Sequence, residues 1–221
     1  MPHDRGNTGK EGKEMFFKLS VFKKLLKDAY KGSGLTVNRT AVPDEYGGVR
    51  EGIYLQGRHW AMWIDLEAMP KEAKAAVVEL CGELPELEKP FTAQKNEINQ
   101  YEIERMEYMN LLERARSAKM KFKVSGMMIK KGASTVRLMQ LPETGRIVMI
   151  AEIFMDLIDI DSMSAEAGEV IPLGPLAENP DSSLFYWWNY HCSLLAMAKK
   201  APQEGTEEHE YIRRLEQWPI I

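Results

Sequence analysis

The stretch that decides the fold is Gly52–Leu80, GIYLQGRHWAMWIDLEAMPKEAKAAVVEL. Gly52-Ile53-Tyr54-Leu55-Gln56 is a short β-rich run, and Gly57-Arg58 supplies a turn, because glycine reaches positive φ without a Cβ penalty. A second run follows, His59 to Leu66. In it Trp60, Met62 and Ile64 share one face, and Ala61, Trp63 and Asp65 share the other. Each face carries a bulky apolar residue, so at least part of the second face is expected to be covered. Met69-Pro70 ends the strand, and proline suits the first helical position. Over Lys71–Cys81 the apolar positions Ala73, Ala76, Val77, Leu80 and Cys81 follow the i, i+3, i+4, i+7, i+8 pattern of a helix with one buried stripe. Gly82 and Pro85 stop it. The unit predicted is a β-hairpin running straight into a helix that packs on it.

The chain has 221 residues, 44% of them hydrophobic and 28% charged, with a net charge of −4. That supports an α+β domain with a real core, and argues against a protein that coats nucleic acid with its whole surface. The charge is uneven: residues 1–31 hold eight Lys/Arg against four Asp/Glu. Two cysteines, Cys81 and Cys192, each lie in an apolar pattern and read as buried free thiols, which places the chain in a reducing cytoplasm. No apolar run reaches the ~20 residues of a membrane span, and the polar first fourteen residues do not read as a signal peptide.

Residues 1–14 read as a flexible arm, 15–100 as a first α+β half, 101–198 as a second, and 199–221 as a linker with a docking tail. Ser20 is the expected N-cap of a helix to Tyr30. Its apolar stripe is Phe22, Leu25, Leu26 and Ala29, with Lys23, Lys24, Lys27 and Lys31 opposite. Leu35-Thr36-Val37 reads as a short strand and 38–49 as a polar loop. Phe91–Gln94 reads as a strand and 103–117 as a helix. Met120–Ile129 alternates as a strand with a bulge at Gly126. Thr135–Leu141 and Arg146–Ala151 flank the turn Pro142-Glu143-Thr144-Gly145, followed by a short helix over 152–160. Leu184–Ala198 is strand-like, with a break at Asn189, and a polar linker over 199–208 leads to Tyr211–Trp218. Both halves repeat the order hairpin then helix, so antiparallel sheets with packed helices are expected, either as two related hairpin–helix halves or as a single irregular α+β sheet.

Arg146–Ala151, the helix with Phe154, Leu157 and Ile158, and the closing strand Ser193–Ala198 are similar in element order to DNA sliding-clamp subunits. That likeness implies a nucleic-acid-encircling module, whereas this half is acidic and a clamp interior is basic. Leu35-Thr36-Val37, Gly52–Leu66 and the run Glu79-Leu80-Cys81-Gly82-Glu83-Leu84-Pro85 resemble uncharacterised small proteins of Gram-positive phages and mobile elements. That resemblance implies an accessory, host-interacting role and no catalytic residues.

No P-loop, dinucleotide fingerprint, zinc spacing or nucleophile elbow occurs, and no cofactor is implied. Asp156, Asp159 and Asp161 could hold Mg²⁺ for a hydrolase or nuclease, although the same spacing describes a solvated helix end. His191 and Cys192 are adjacent and point to opposite faces of a strand, which separates them as a catalytic pair. The aromatic residues Trp60, Trp63, Tyr186, Trp188 and Tyr190 are the leading candidates for a partly exposed binding surface, against their reading as core alone. The Lys23/Lys24/Lys27/Lys31 face offers phosphate contacts, against its reading as a solvated face. Trp218, Ile220 and Ile221 form a tail that docks either on its own domain or in a partner groove. The function expected is a non-catalytic binding protein that occupies a surface of a host protein or protein–nucleic-acid complex, as anti-defence inhibitors do. The alternatives are a metal-dependent hydrolase or nuclease on the Asp cluster, and a direct nucleic-acid-binding module.

Overall fold

In the structure, a computed structural model, residues 16–43, 47–101, 110–158 and 172–220 are described. The deciding stretch folds as read. Strand β2 (Val49–Gly57) turns at Arg58-His59 into β3 (Trp60–Asp65), and α2 (Lys71–Cys81) follows, ended by Gly82 at a φ of 84°. Pro70 stands one position earlier than expected, as the N-cap of α2. Ahead of this unit lie α1 (Leu19–Lys31) and β1 (Leu35–Pro43); after it come β4 (Phe91–Ala93), β5 (Gln100–Tyr101), α3 (Leu111–Ser117) and β6 (Met120–Lys121). The hairpin β7 (Lys123–Lys131), β8 (Ser134–Gln140) continues into β9 (Ile147–Ala151) and α4 (Glu152–Leu157). Strands β10 (Leu173–Ala177), β11 (Leu184–Trp188) and β12 (Cys192–Met197) and helix α5 (Glu207–Leu215) complete the α+β fold.

Two antiparallel sheets result. The larger has nine strands in the order β5-β4-β1-β2-β3-β12-β11-β10-β6; the smaller is β7-β8-β9. Strands from both predicted halves meet in the large sheet, where Ile64 pairs with Cys192 and Trp60 with Ala196. The hairpin–helix plan occurs twice, as β2-β3-α2 and β8-β9-α4, but the two copies belong to different sheets.

Alternation along the strands builds the layers. Ile53, Leu55, Trp60, Met62, Ile64, Phe185, Trp187, Cys192 and Leu194 point to one face. There they meet Phe22, Leu25 and Leu26 of α1, Ala73 and Val77 of α2, Phe154 and Leu157 of α4, and Met139, Val148 and Ile150 from the inner face of the small sheet. The opposite face of the large sheet carries Val42, Tyr54, Ala61, Trp63 and Tyr186, covered by Leu111, Leu112 and Ala115 of α3. The outer face of the small sheet, with Val136, Leu138, Ile147 and Met149, is covered by Ile212 of α5.

Several boundaries differ from the sequence expectation for identifiable reasons. β1 runs to Pro43, through the stretch read as a polar loop, because Asn38, Thr40 and Val42 point into the face that α3 covers; there Thr40 Oγ1 accepts the Trp63 indole N–H at 3.0 Å. Ser20 lies inside α1 and does not cap it. The entry is held instead by the Lys18 N–H, which donates to the Leu157 carbonyl at 2.7 Å, and by the Phe17–Ile158 bridge. α5 starts at Glu207, inside the stretch read as a polar linker. Thr206 caps it, its side chain accepting from the His209 N–H, and its first turn is acidic and its last basic, as the helix dipole favours. The stretch 120–129 divides between the two sheets, and its register shifts between Val124 and Met128, around Gly126. The 103–117 helix is seen as α3 alone, residues 102–109 lying outside the described residues, as do 159–171. Cys81 and Cys192 are buried free thiols.

Candidate functional site

The aromatic residues chosen as a binding surface do not form one. Trp60 is 7% exposed, packed in the core on the α1 side of the sheet, and Trp63 and Tyr186 are fully buried because α3 closes the second face. Trp188 is half-buried with the Arg116 guanidinium over its ring at 5.7 Å. Tyr190 is half-buried with that of Arg50 at 4.0 Å. No broad ring face in this set is open to stack a base or a partner side chain.

The two β3 tryptophans are seated by glycines of β2. A Cβ on Gly52 would stand 2.2 Å from the Trp63 ring, and one on Gly57 would stand 2.4 Å from the Trp60 indole nitrogen. The indoles occupy the space those side chains would fill.

The other predicted sites separate in the same way. Lys24, Lys27 and Lys31 of α1 are exposed and Lys23 half-buried, a row on the outer side of the helix. Asp156 is exposed on α4; Asp159 and Asp161 lie outside the described residues, among which no cluster of three or more His, Cys, Asp or Glu could hold a metal ion. Cys192 is buried so deeply that its thiol pKa is pushed well up, and burial pushes that of Cys81 to about 12. Neither is a ready nucleophile at neutral pH. The tail docks back on its own sheet. Gln140 Nε2 donates to the Trp218 carbonyl at 2.8 Å, and its Oε1 accepts the Ile220 N–H at 3.0 Å. Ile220 is half-buried against the α5 cluster, the Trp218 side chain is 69% exposed, and Ile221 lies outside the described residues.

His191 turns toward Asp65. In a polar basin at the β11–β12 turn, Asp65 Oδ2 lies 3.3 Å from His191 Nδ1 and accepts from Arg50 Nη1 at 3.2 Å. Oδ1 accepts the Glu67 N–H at 3.0 Å, and Arg50 Nη1 also donates to the Tyr190 carbonyl at 2.7 Å. Both carboxylate oxygens are thus engaged in fastening the turn to β2 and β3, an arrangement that serves structure.

The feature with the geometry of a contact site was not foreseen. A groove of about 880 Å³ runs between α1, the β2–β3 turn, α4 and the end of β12. Its walls include Leu25 and Ala29 of α1, Ile153 and Phe154 of α4, and Met197 and Ala198; Arg58, His59, Lys199 and Lys200 stand along the rim, with Asp28 the acidic residue of the lining. Met197 is 39% exposed. The strip Met197–Lys199 is pinned by three backbone hydrogen bonds: Met197 N–H to His59 O at 2.9 Å, Ala198 N–H to Ser183 O at 2.8 Å, and Lys199 N–H to Met149 O at 2.8 Å. The backbone that carries these side chains is therefore fixed before anything binds. The imidazole pKa of His59 is lowered by partial burial, then by the charges of Arg58 and Lys199, which holds the ring neutral at pH 7. Ser183, Ala198, Lys199 and Lys200 also line a second cleft, of about 310 Å³, against β9 and α5. Arg146, His209 and Arg213 join it there, opposite Glu216. The basic residues come from the β2–β3 turn, the end of β12, the start of β9 and α5, so no local spacing announces them.

Among the described residues no helix is long and apolar enough to cross a membrane. No protein-family model matches the chain, and no curated protein matches its sequence.

Proposed function

We propose that the protein is a non-catalytic binding protein that acts by occupying a surface of a host protein or protein–nucleic-acid complex, in the manner of an anti-defence inhibitor carried by a phage or mobile element. The observation that carries the reading is the groove: a preformed apolar trough with an exposed methionine in it and cations on its rim. A trough of this kind desolvates a partner side chain while the rim fixes orientation. Two of the described groups that could do chemistry are committed to the fold. Cys192 is buried, and the Asp65 carboxylate is spent on Arg50, His191 and the Glu67 amide.

The test is capture from native host cells with tagged wild-type protein and with Met197→Glu, read by mass spectrometry. A host protein retained by the wild type and lost with the variant supports the reading. Equal capture by both contradicts it.

A further inference from the structure

The groove and the smaller cleft adjoin across a shared strip of lining, and their composition points to the chemistry of the occupant. They share Ser183, Ala198, Lys199 and Lys200. Together the two linings hold Arg58, Lys199, Lys200, Arg146 and Arg213 against Asp28 and Glu216, a local excess of positive charge on a chain whose net charge is −4. Arg146 Nη1 is buried in the cleft wall without a hydrogen-bond acceptor. Cations so placed, with low-dielectric walls beside them, raise the local concentration of anionic groups. The floor narrows the class further. Trp60 and Phe154 are buried to their edges, so no ring face is offered for base stacking, whereas Met197, Ala198 and Ile153 present aliphatic surface. A bare phosphate chain would leave that surface uncovered; a protein side chain would fill it.

We propose that the groove and cleft together receive an acidic, amphipathic segment of a partner protein, with an apolar side chain lodged against Met197, Ala198 and Ile153 and carboxylates over Lys199, Lys200 and Arg146. This rests on the reading of the protein as a binding protein, and it adds the chemistry of what is bound.

The experiment is fluorescence anisotropy with a labelled synthetic peptide of Glu, Ser and a central Leu pair, run beside three controls: its Lys-for-Glu counterpart, its Ser-for-Leu counterpart, and an oligothymidylate. The acidic leucine peptide is expected to bind with an affinity that falls as salt rises, and each control to bind at least about tenfold more weakly. Lys199→Glu with Lys200→Glu, and separately Met197→Glu, should each weaken the acidic peptide by about tenfold or more, with circular dichroism and the melting midpoint confirming that the variants are folded. Equal binding of the Lys counterpart, or tighter binding of the oligothymidylate, overturns the assignment. If no peptide binds while host capture is still lost with Met197→Glu, the acidic-segment assignment falls and the binding-protein reading stands. If host capture ignores Met197→Glu, that reading falls as well.

Discussion

At the scale of single residues the fold depends on pairs in which a small or charged group makes room for a large one. Gly52 and Gly57 seat the indoles of Trp63 and Trp60 across the β2–β3 ladder. Gly52→Ala places a Cβ inside the Trp63 ring volume, where buried neighbours leave little room to shift. The expected loss is about 1–3 kcal/mol of unfolding free energy, the usual range for overpacking a core, read from urea melts; an unchanged midpoint would mean the indole is not seated there. Asp65 poses the complementary problem. Its partner Arg50 has a side chain only 11% exposed, so Asp65→Ala leaves a buried guanidinium without its carboxylate. A loss of about 3–5 kcal/mol is expected, as for other broken buried pairs, and the β11–β12 turn should loosen first in hydrogen exchange.

At the scale of elements, legibility followed periodicity. The α2 stripe and the alternation in β3 were plain because each pattern is local and its buried positions are apolar. β1 was cut short in the reading because Asn38 and Thr40 look like loop residues, yet both are buried on the face closed by α3, where the Trp63 indole supplies Thr40 with a hydrogen bond. The aromatic strand β11 was read correctly as two-faced. Its second face was expected to be partly wet because α3, which covers it, is a seven-residue helix that reaches it only through the tertiary fold. α5 acts as a strap on the outer face of the small sheet, held by Ile212 and by the Gln140 bonds to the tail backbone. Ile212→Asp should therefore uncover Val136, Leu138, Ile147 and Met149 and cost about 2–4 kcal/mol, with increased binding of a hydrophobic dye. Trp218→Ala, which removes a mostly exposed side chain, should stay within about 0.5 kcal/mol of the wild type. Equal effects from the two would mean that the strap is held by its indole instead.

At the scale of the whole molecule, the sheet that joins β3 to β12 brings together parts of the chain far apart in sequence, and the groove forms on that seam. Of the conspicuous aromatics, Trp60, Trp63 and Tyr186 belong to the core, and Trp188 and Tyr190 are half-buried beneath Arg116 and Arg50. The rim was invisible because Arg58, Arg146, Lys199 and Arg213 become neighbours of the path only after folding. The rim also gives a pH signature. His59 resists protonation in the folded protein, mainly through partial burial and then through Arg58 and Lys199. Its contribution to stability is present above the ordinary imidazole range and is lost as pH falls through its lowered pKa. A bound carboxylate opposes that shift, so the complex takes up protons and affinity for an acidic segment should rise as pH is lowered from 8 toward 6. His59→Gln should flatten that slope in anisotropy titrations; an unchanged slope would place the proton elsewhere.

The most direct measurement is hydrogen exchange on the full chain, alone and with the acidic leucine peptide. Added protection is predicted at Arg58–Trp60 and at Met197–Lys200, the segments flanking the groove. Protection confined to the Trp188–His191 turn or to the lysine face of α1, with the groove unchanged, would contradict the account.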